Sequence, residues 1–208
     1  MSFTYFSLKR KIDILKRHTH QCLADIPKMH KAYLISGLSG VGKTTLGFRI
    51  DGNHRDILFI DQDVFFRPEK PFAYLKCGVR VKNWDCTDSV DWERLNKELA
   101  KLLEETDIVL VGFCLRDQYL PALKDRIYNH VELIYEKDEK ERSREARLNS
   151  KPGIDAVKDK MIVDELVWPF YLETRQQSTV DHTIVVYRGD DRRSADEIYQ
   201  EWLKIPRR

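Results

Sequence analysis

Residues 37–45 fit the spacing G-x-x-x-x-G-K-[ST] without a gap. Glycines at positions 37, 40 and 42 let successive backbone N–H groups turn inward, and a helix that starts directly afterwards adds its positive dipole end. Lys43 then supplies a mobile positive charge, and the Thr44 hydroxyl supplies a ligand for Mg²⁺. The segment therefore predicts a loop that binds the phosphates of ATP with Mg²⁺. Its residues are Gly37, Leu38, Ser39, Gly40, Val41, Gly42, Lys43, Thr44 and Thr45.

Two aspartates follow the second apolar run of the chain, residues 57–60. A carboxylate at the carboxyl edge of a strand is well placed to take the proton of an acceptor hydroxyl, and Asp63 is the candidate for this base. Asp61 shares its face if the segment stays extended, so we expect it to help hold Mg²⁺. The alternative is that either aspartate caps the following turn.

The charged segment that follows the fourth predicted strand offers three arginines. Residues 136–155 are predicted to form a small lid, in which Arg142 and Arg144 act on the transferring phosphate and Arg147 contacts ATP. The alternative is an ordinary solvated helix with Glu–Arg pairs. Arg188, at the exit of the last predicted strand, is a further candidate for ATP binding.

Trp84 and Asp85 lie together in a polar segment. A flat ring next to a carboxylate suits an acceptor that has an aromatic base and ribose hydroxyls. The alternative is a buried Trp beside a turn Asp. We interpret residues 67–87, with two prolines and Gly78, as a long functional loop without packed structure.

Short apolar runs alternate with helix-like patterns from residue 31 onwards. Strands are predicted at 32–35, 57–60, 108–113, 130–135 and 183–187, and helices from 44, from 89 to 105, from 118 to 128 and from a capping box at Ser194. Uniformly apolar strands between helices predict an α/β fold with a doubly wound, mainly parallel, five-stranded sheet and helices on both faces. A chain of 208 residues is long enough for one such domain, residues 31–208.

The composition excludes several classes of function. The formal net charge is +2, so no overall field attracts nucleic acid or an anionic membrane. The four cysteines contain no C-x-x-C pair, and no apolar stretch is long enough to span a bilayer. We expect a cytoplasmic monomer or homodimer whose partners are small molecules. Residues 1–30 form a predicted basic amphipathic extension. Its basic residues are interpreted as a solvated helix face, and the alternatives are a nuclear signal and a surface for acidic partners.

Several segments resemble the nicotinamide riboside kinases, within the uridine kinase-like nucleoside kinases. They are residues 37–45, Gln62-Asp63-Val64-Phe65-Phe66, Asn83-Trp84-Asp85, Val111-Gly112-Phe113 and Val167-Trp168-Pro169-Phe170-Tyr171-Leu172, in family order. The resemblance implies ATP-dependent phosphorylation of the ribose 5′-hydroxyl of nicotinamide riboside, which feeds NAD synthesis. It implies that Asp63 is the base, that Asp85 holds ribose hydroxyls, that Trp84 stacks on the nicotinamide, and that Phe65 contacts the acceptor.

The chain departs from this family at three positions. Val111 stands where the family has an acidic residue of the magnesium site, and Asp61, where the family often has a neutral residue, is a candidate to compensate. Val64 replaces a second acidic residue, and the lid around Arg147 lacks the family's aromatic residue. Two alternatives therefore stay open, namely a kinase for uridine or cytidine and a nucleotide-binding module with impaired catalysis.

Overall fold

The computed structural model describes residues 29–206 apart from 70, 114, 151, 152, 154 and 189. The predicted extension, residues 1–30, thus falls almost wholly outside the described residues. The strands are β1 (Ala32–Gly37), β2 (Ile57–Asp61), β3 (Phe72–Tyr74), β4 (Arg80–Lys82), β5 (Asp107–Val111), β6 (Ile127–Ile134), β7 (His182–Val185), β8 (Tyr187–Arg188) and β9 (Asp191–Arg192). The helices are α1 (Lys43–Asn53), α2 (Trp92–Leu102), α3 (Glu139–Ser150), α4 (Ala156–Ile162), α5 (Trp168–Gln177) and α6 (Ala195–Trp202).

Five strands form one parallel sheet in the order β2-β5-β1-β6-β7. One face is covered by α1, by α6 and by the π-helical segment Val163–Val167 with the start of α5, while α2 and the loop after β5 cover the other. The central strand β1 is buried along its whole length because both faces are covered. The prediction of a doubly wound parallel sheet with helices on both faces is confirmed. The carboxyl ends of β1, β2 and β5 meet at one edge, where the phosphate-binding loop begins.

Two sequence-based predictions of local structure are wrong. Residues 67–87 are not an unpacked loop, because β3 and β4 pair antiparallel around a turn at Gly78, which has a φ of 80°. Strands of three residues are too short to show a periodic pattern, yet Leu75 and Val81 are buried. The helix predicted over 118–128 is replaced by two single 3₁₀ turns, Asp117–Tyr119 and Pro121–Leu123. Pro121 disfavours helical backbone at the residue before it.

The C-terminal part ends close to the phosphate-binding loop. β8 and β9 form a short hairpin. The capping box predicted at Ser194 is present, since the Ser194 hydroxyl accepts from the Glu197 N–H and the Glu197 carboxylate accepts from the Ser194 N–H. Every helix within the described residues is too short or too polar to cross a membrane.

Candidate active site

A cavity of about 1030 Å³ opens at the carboxyl edge of the sheet. It is lined by the phosphate-binding loop with the start of α1, by the segment after β2, and by the β3–β4 hairpin with residues 83–86. The sequence-predicted residues that line it are Ser39, Gly40, Gly42, Lys43, Thr44, Thr45, Asp61, Asp63, Trp84, Asp85 and Arg147. The fold thus brings groups from distant parts of the chain to one place.

The loop has the backbone that phosphate binding requires. Gly37, Gly40 and Gly42 have φ values of 139°, 81° and 104°. At Gly40 a side chain would also clash, because a Cβ atom there would lie 2.4 Å from the Cβ of Ala146 in α3. Gly42 is the N-cap of α1, so the N-terminal end of that helix faces the cavity.

The Lys43 ammonium group is held at the base of the loop. Its Nζ donates to the carbonyls of Gly37 and Leu38, each at 2.9 Å. Burial lowers the pKa of Lys43 from 10.5 to about 8, although the nearby carboxylates of Asp63, Asp61 and Asp85 each raise it. Lys43 is therefore close to the point at which it loses its charge in the ligand-free protein.

This pKa leads to a prediction for nucleotide binding. Above a pH of about 8 the ligand-free protein has a neutral Lys43, whereas bound phosphates favour the charged form. We expect ATP affinity to fall as the pH rises from 7.5 to 9, by up to about tenfold per pH unit, with uptake of a proton on binding. Calorimetry in buffers of different ionisation enthalpy measures this uptake. Lys43→Arg stays charged over this range and should remove the pH dependence, and a pH dependence that persists in that variant would contradict the assignment.

The two aspartates after β2 have different surroundings. Asp61 accepts from the backbone N–H of Asp63 at 3.0 Å, so it caps the 3₁₀ turn Gln62–Phe65, as the alternative interpretation expected. Its other oxygen, Oδ2, accepts from the Thr44 hydroxyl at 3.4 Å. The same carboxylate thus caps the turn and faces the metal-ligand candidate of the loop. Asp63 is exposed on this turn and lines the cavity.

The pairing of β2 with β5 places Asp61 beside Val111, the position at which this chain lacks an acidic residue. Asp61 in β2 pairs with Val111 in β5. Paired residues of neighbouring parallel strands point to the same face, and the strands lie about 4.8 Å apart. Val111 is fully buried and contributes to the cavity wall. A carboxylate is therefore present one strand away from the place where the resembling family has one.

The residues at this edge fit a hydrated magnesium ion. Within the part of the chain that the structure describes, no three His, Cys, Asp or Glu side chains cluster as a complete metal site. Mg²⁺ does not need such a cluster, because it keeps several waters and uses one or two carboxylates plus substrate phosphates. The Thr44 hydroxyl and the Asp61 carboxylate supply oxygen ligands of this kind.

The acceptor side of the cavity is aromatic and acidic. The Trp84 ring lies edge-on to Phe66, with ring centroids 5.6 Å apart, and is 45% exposed. Buried Ser89 fixes the segment, since its hydroxyl donates to the Trp84 carbonyl at 2.7 Å. Trp84 is therefore not the buried ring of the alternative interpretation. Asp85 lies next to it and contributes to the field at Lys43.

Phe65 does not reach the cavity. It is buried in the core on the α2 face of the sheet, in the same cluster as Val90 and Leu95, whereas the next residue, Phe66, lines the cavity. The segment Gln62–Phe65 forms a 3₁₀ turn rather than continuing β2, so alternation along an extended strand does not apply here. The aromatic contact predicted for Phe65 is thus available from Phe66 instead.

The lid helix α3 packs directly on the phosphate-binding loop. The buried Ser143 hydroxyl donates to the Ser39 carbonyl at 2.8 Å, and Ala146 contacts Gly40. Positions 143, 146 and 147 lie on one side of a helix, which is therefore the side that faces the loop. Arg147 follows this side and lines the cavity.

The structure does not bring Arg142 and Arg144 into the cavity. Arg142 donates to Asp190 at 2.9 Å, and its guanidinium lies 4.6 Å from the centroid of the Tyr187 ring. Arg144 is half-buried away from the cavity wall. Their spacing relative to Ser143 turns both away from the loop, so the catalytic role predicted for them has no support from their positions. Arg188 lies in β8, and its predicted contact with ATP stays a prediction.

Several residues of the cavity wall were not among those predicted from the sequence. Arg192 of β9 lines it and also lines a neighbouring cavity of about 360 Å³ with Val41, Leu46, Ser194 and Ile198. Lys158 and Asp159 come from α4, and Arg80 and Lys82 come from the hairpin. The capping box at Ser194 could have pointed to Arg192, because residues between a final strand and a helix lie at the same edge as the loop. No comparable signal marks the others.

Comparison with known proteins gives distant relatives. No protein-family model matches the chain. Human nicotinamide riboside kinase 2 is 28% identical over 191 aligned residues, which cover 82% of this chain and 78% of that protein. Human nicotinamide riboside kinase 1 is 26% identical, with 82% and 90% covered. The crystal structure of an unliganded sugar kinase from Janibacter sp. has the same fold, with a TM-score of 0.52, 18% identity, and 84% and 92% covered.

The chain is a P-loop kinase that is distantly related to the nicotinamide riboside kinases. It is therefore an enzyme of the phosphotransferase class with a hydroxyl group as acceptor. The distant relationship supports a kinase for a nucleoside or another small molecule. Kinases of this kind use ATP and Mg²⁺ in general.

Proposed function

We propose that the protein transfers the γ-phosphoryl group of MgATP to the ribose 5′-hydroxyl of nicotinamide riboside, giving nicotinamide mononucleotide for NAD synthesis. The observation that supports this most is the set of residues that line the 1030 Å³ cavity. It joins Lys43 and Thr44 to Asp63 and to the Trp84–Asp85 pair. The relationship to two nicotinamide riboside kinases is consistent with this acceptor.

The donor lies along the phosphate-binding loop in this proposal. Lys43 and the backbone N–H groups of the loop bind the phosphates, and the neighbouring 360 Å³ cavity takes the base of the nucleotide. This cavity shares Gly42 and Arg192 with the main cavity, so a bound nucleotide can extend from one into the other. Mg²⁺, held on the Thr44 and Asp61 side, neutralises charge on the phosphates when bound.

The acceptor lies between the turn after β2 and the segment 83–86. Trp84 and Phe66 offer aromatic surface to the base, and the Asp85 carboxylate accepts hydrogen bonds from ribose hydroxyls. Asp63 accepts the proton of the 5′-hydroxyl as the new P–O bond forms, while the bond between the γ-phosphorus and the β–γ bridging oxygen breaks and ADP leaves. The lid helix α3 covers the loop and excludes water, which would otherwise compete as the acceptor.

The test is phosphate transfer from MgATP to nicotinamide riboside, uridine and cytidine in parallel, with product identification by mass spectrometry. The Asp63→Asn protein serves as the blank. We expect nicotinamide riboside to have the highest kcat/KM and its turnover to vanish in the blank. Higher kcat/KM for uridine or cytidine would overturn the assigned acceptor and leave the kinase assignment intact.

Trp84 gives a prediction about acceptor binding. We expect Trp84→Ala to raise the KM for the nucleoside by about tenfold, because base–aromatic stacking is worth about 1–3 kcal/mol, with a smaller change in kcat. Trp84→Phe should retain most of the affinity. Steady-state kinetics at saturating ATP measure both constants. An unchanged KM in Trp84→Ala would show that the base binds elsewhere, and Tyr74→Ala, at an exposed ring of β3 outside the cavity wall, is the matched control.

A kinase for uridine or cytidine remains the second candidate function because of the residues of the lid. The resembling family has an aromatic residue on the lid, but α3 contains none. A pyrimidine base, which is also a single six-membered ring, can bind with the Trp84 and Phe66 side alone. The other alternative, a nucleotide-binding module with impaired catalysis, is supported only by Val111 in place of an acidic residue. The neighbouring Asp61 carboxylate weakens this alternative.

A further inference from the structure

Asp159 is the most deeply buried carboxylate among the described residues that line the main cavity. It lies in α4, is 3% exposed, and belongs to no motif that the sequence analysis used. Its Oδ1 accepts from Arg147 Nε at 3.3 Å and from Arg147 Nη2 at 2.9 Å. Its Oδ2 has no hydrogen-bond partner within the described residues. Burial of a carboxylate is costly unless it is paired, and the contact with Arg147 supplies this pairing.

The geometry of the pair fixes the direction of the guanidinium group. Both donors that bind Asp159 lie on one edge of Arg147, the edge formed by Nε and Nη2. Nη1 makes no hydrogen bond to the rest of the described chain. The Arg147 side chain is 15% exposed and lines the cavity. The preceding residue, Ala146, packs on Gly40 of the phosphate-binding loop. The free end of the guanidinium group is therefore held close to the site of the phosphates.

We propose that Asp159 is a positioning residue that holds Arg147 so that its Nη1 donors meet the phosphates of a nucleotide bound at the loop. A planar guanidinium fixed along one edge can give its remaining donors to phosphate oxygens without further ordering. This assigns the phosphate contact of the lid to Arg147 and not to Arg142, which is engaged by Asp190 and Tyr187. The inference rests on the proposed phosphoryl transfer, but its test includes readouts that do not need an acceptor.

The structure offers a matched control pair. Lys140 of α3 contacts Asp164 of the π-helical segment at 2.9 Å, so this ion pair also joins the lid helix to the segment that follows it. Neither residue lines the main cavity. Asp164 also pairs with Lys160 of α4. Asp164→Asn therefore tests the loss of charge pairing between the lid helix and the helical segment that follows it, at a position outside the main cavity.

The first experiment compares kcat in Asp159→Asn, Arg147→Lys, the double variant and Asp164→Asn. We expect Asp159→Asn to lower kcat by about 10- to 100-fold, with a change of less than about threefold in the KM for ATP, because a misplaced group costs the reaction more than it costs binding. The double variant should be no slower than Arg147→Lys alone, and Asp164→Asn should keep the wild-type kcat. Multiplicative losses in the double variant, or a kcat of Asp159→Asn equal to that of Asp164→Asn, would overturn the proposal.

The second experiment needs no turnover. The Nε–H resonance of Arg147, assigned by its loss in Arg147→Lys, is followed by ¹⁵N NMR during titration with a non-hydrolysable ATP analogue and Mg²⁺. We expect a shift in the wild type and in Asp164→Asn, and a broadened signal without a specific shift in Asp159→Asn. The proposal would be overturned if the wild-type signal did not change on addition of the nucleotide. It would also be overturned if Asp159→Asn bound the nucleotide more tightly and turned over faster, because Asp159 would then only repel phosphate.

A conservative substitution of Asp159 keeps the proposal testable. If Asp159→Asn does not fold, Asp159→Glu keeps the charge and moves the carboxylate by one methylene group. A lower kcat at a nearly unchanged melting temperature then supports positioning, and an unchanged kcat contradicts it. If the wild type phosphorylates none of the acceptors, the proposed function fails, while the NMR titration still decides the role of Asp159.

Discussion

Replacement of Asp63 by Asn is expected to lower kcat by about 10²- to 10⁴-fold, the range typical of a lost general base. Asn retains the size of the side chain but cannot accept the proton of the acceptor hydroxyl. The 3₁₀ turn should persist, because Asp61 supplies its side-chain cap. The affinity for ATP should stay nearly unchanged at neutral pH, since the phosphate contacts come from the loop. Single-turnover kinetics with nicotinamide riboside, together with calorimetry for ATP, measure the two effects separately.

The structure indicates a control variant for Asp63→Asn and the pH at which the two proteins are best compared. Asp88→Asn removes an exposed carboxylate from another 3₁₀ turn, outside the cavity wall, and should retain full activity. Asp63 raises the pKa of Lys43, so its loss moves that pKa below about 8 and weakens ATP binding at alkaline pH. Assays are therefore best made at pH 7 or below, where the difference in Lys43 charge between the two proteins is smallest. Full activity of Asp63→Asn under these conditions would remove Asp63 from the role of base.

The parts of the fold that could be predicted are those fixed by local chemistry. A phosphate-binding loop needs glycine at positions with positive φ and a helix behind it, and both are visible in the sequence. Four of the five strands of the sheet contain short apolar runs, and β6, the fourth strand of the sheet along the chain, is recognised from its alternating residues, so all five could be recognised. A capping box specifies the start of α6 through two mutual hydrogen bonds.

The parts that could not be predicted depend on which side of an element faces the site. The lid helix α3 presents Ser143 and Ala146 to the loop, and this choice turns Arg147 inward and Arg142 outward. The helix is charged nearly all round, so its sequence shows no apolar face that would reveal the choice. Phe65 and Phe66 present the same difficulty, because a 3₁₀ turn replaces the expected extended backbone and exchanges their positions.

The positive and negative side chains on the phosphate-binding side of the cavity balance one another. Lys43 and Arg147 face phosphate in the proposed complex, while Asp61 contacts the Thr44 hydroxyl and Asp159 contacts the Arg147 guanidinium group. Each carboxylate therefore both stabilises the ligand-free protein and orients a functional group. This double role explains why Asp61 can cap a turn and still belong to the candidate metal site.

The second large effect is expected at Asp61, together with Val111. Asp61→Asn keeps an oxygen that can accept from the Asp63 N–H, but it removes the charge next to the Thr44 hydroxyl. We expect kcat to fall by about 10²-fold and the Mg²⁺ concentration needed for half-maximal activity to rise, because the loss of one hard anionic ligand weakens binding of the ion. Titration of activity with Mg²⁺ at fixed ATP measures both changes.

Val111→Glu decides whether Asp61 stands in for the missing acid. The two positions are register partners on neighbouring strands, so a glutamate at 111 can bring a carboxylate to the same edge of the cavity. We expect Val111→Glu alone to change kcat by less than about threefold, and we expect it to restore most of the activity lost in Asp61→Asn. Val111→Gln, similar in size but without charge, should restore nothing and controls for the strain of a larger polar side chain at a fully buried position. A large gain from Val111→Glu in the otherwise unchanged protein would instead mean that Asp61 does not compensate and that the enzyme is an impaired catalyst.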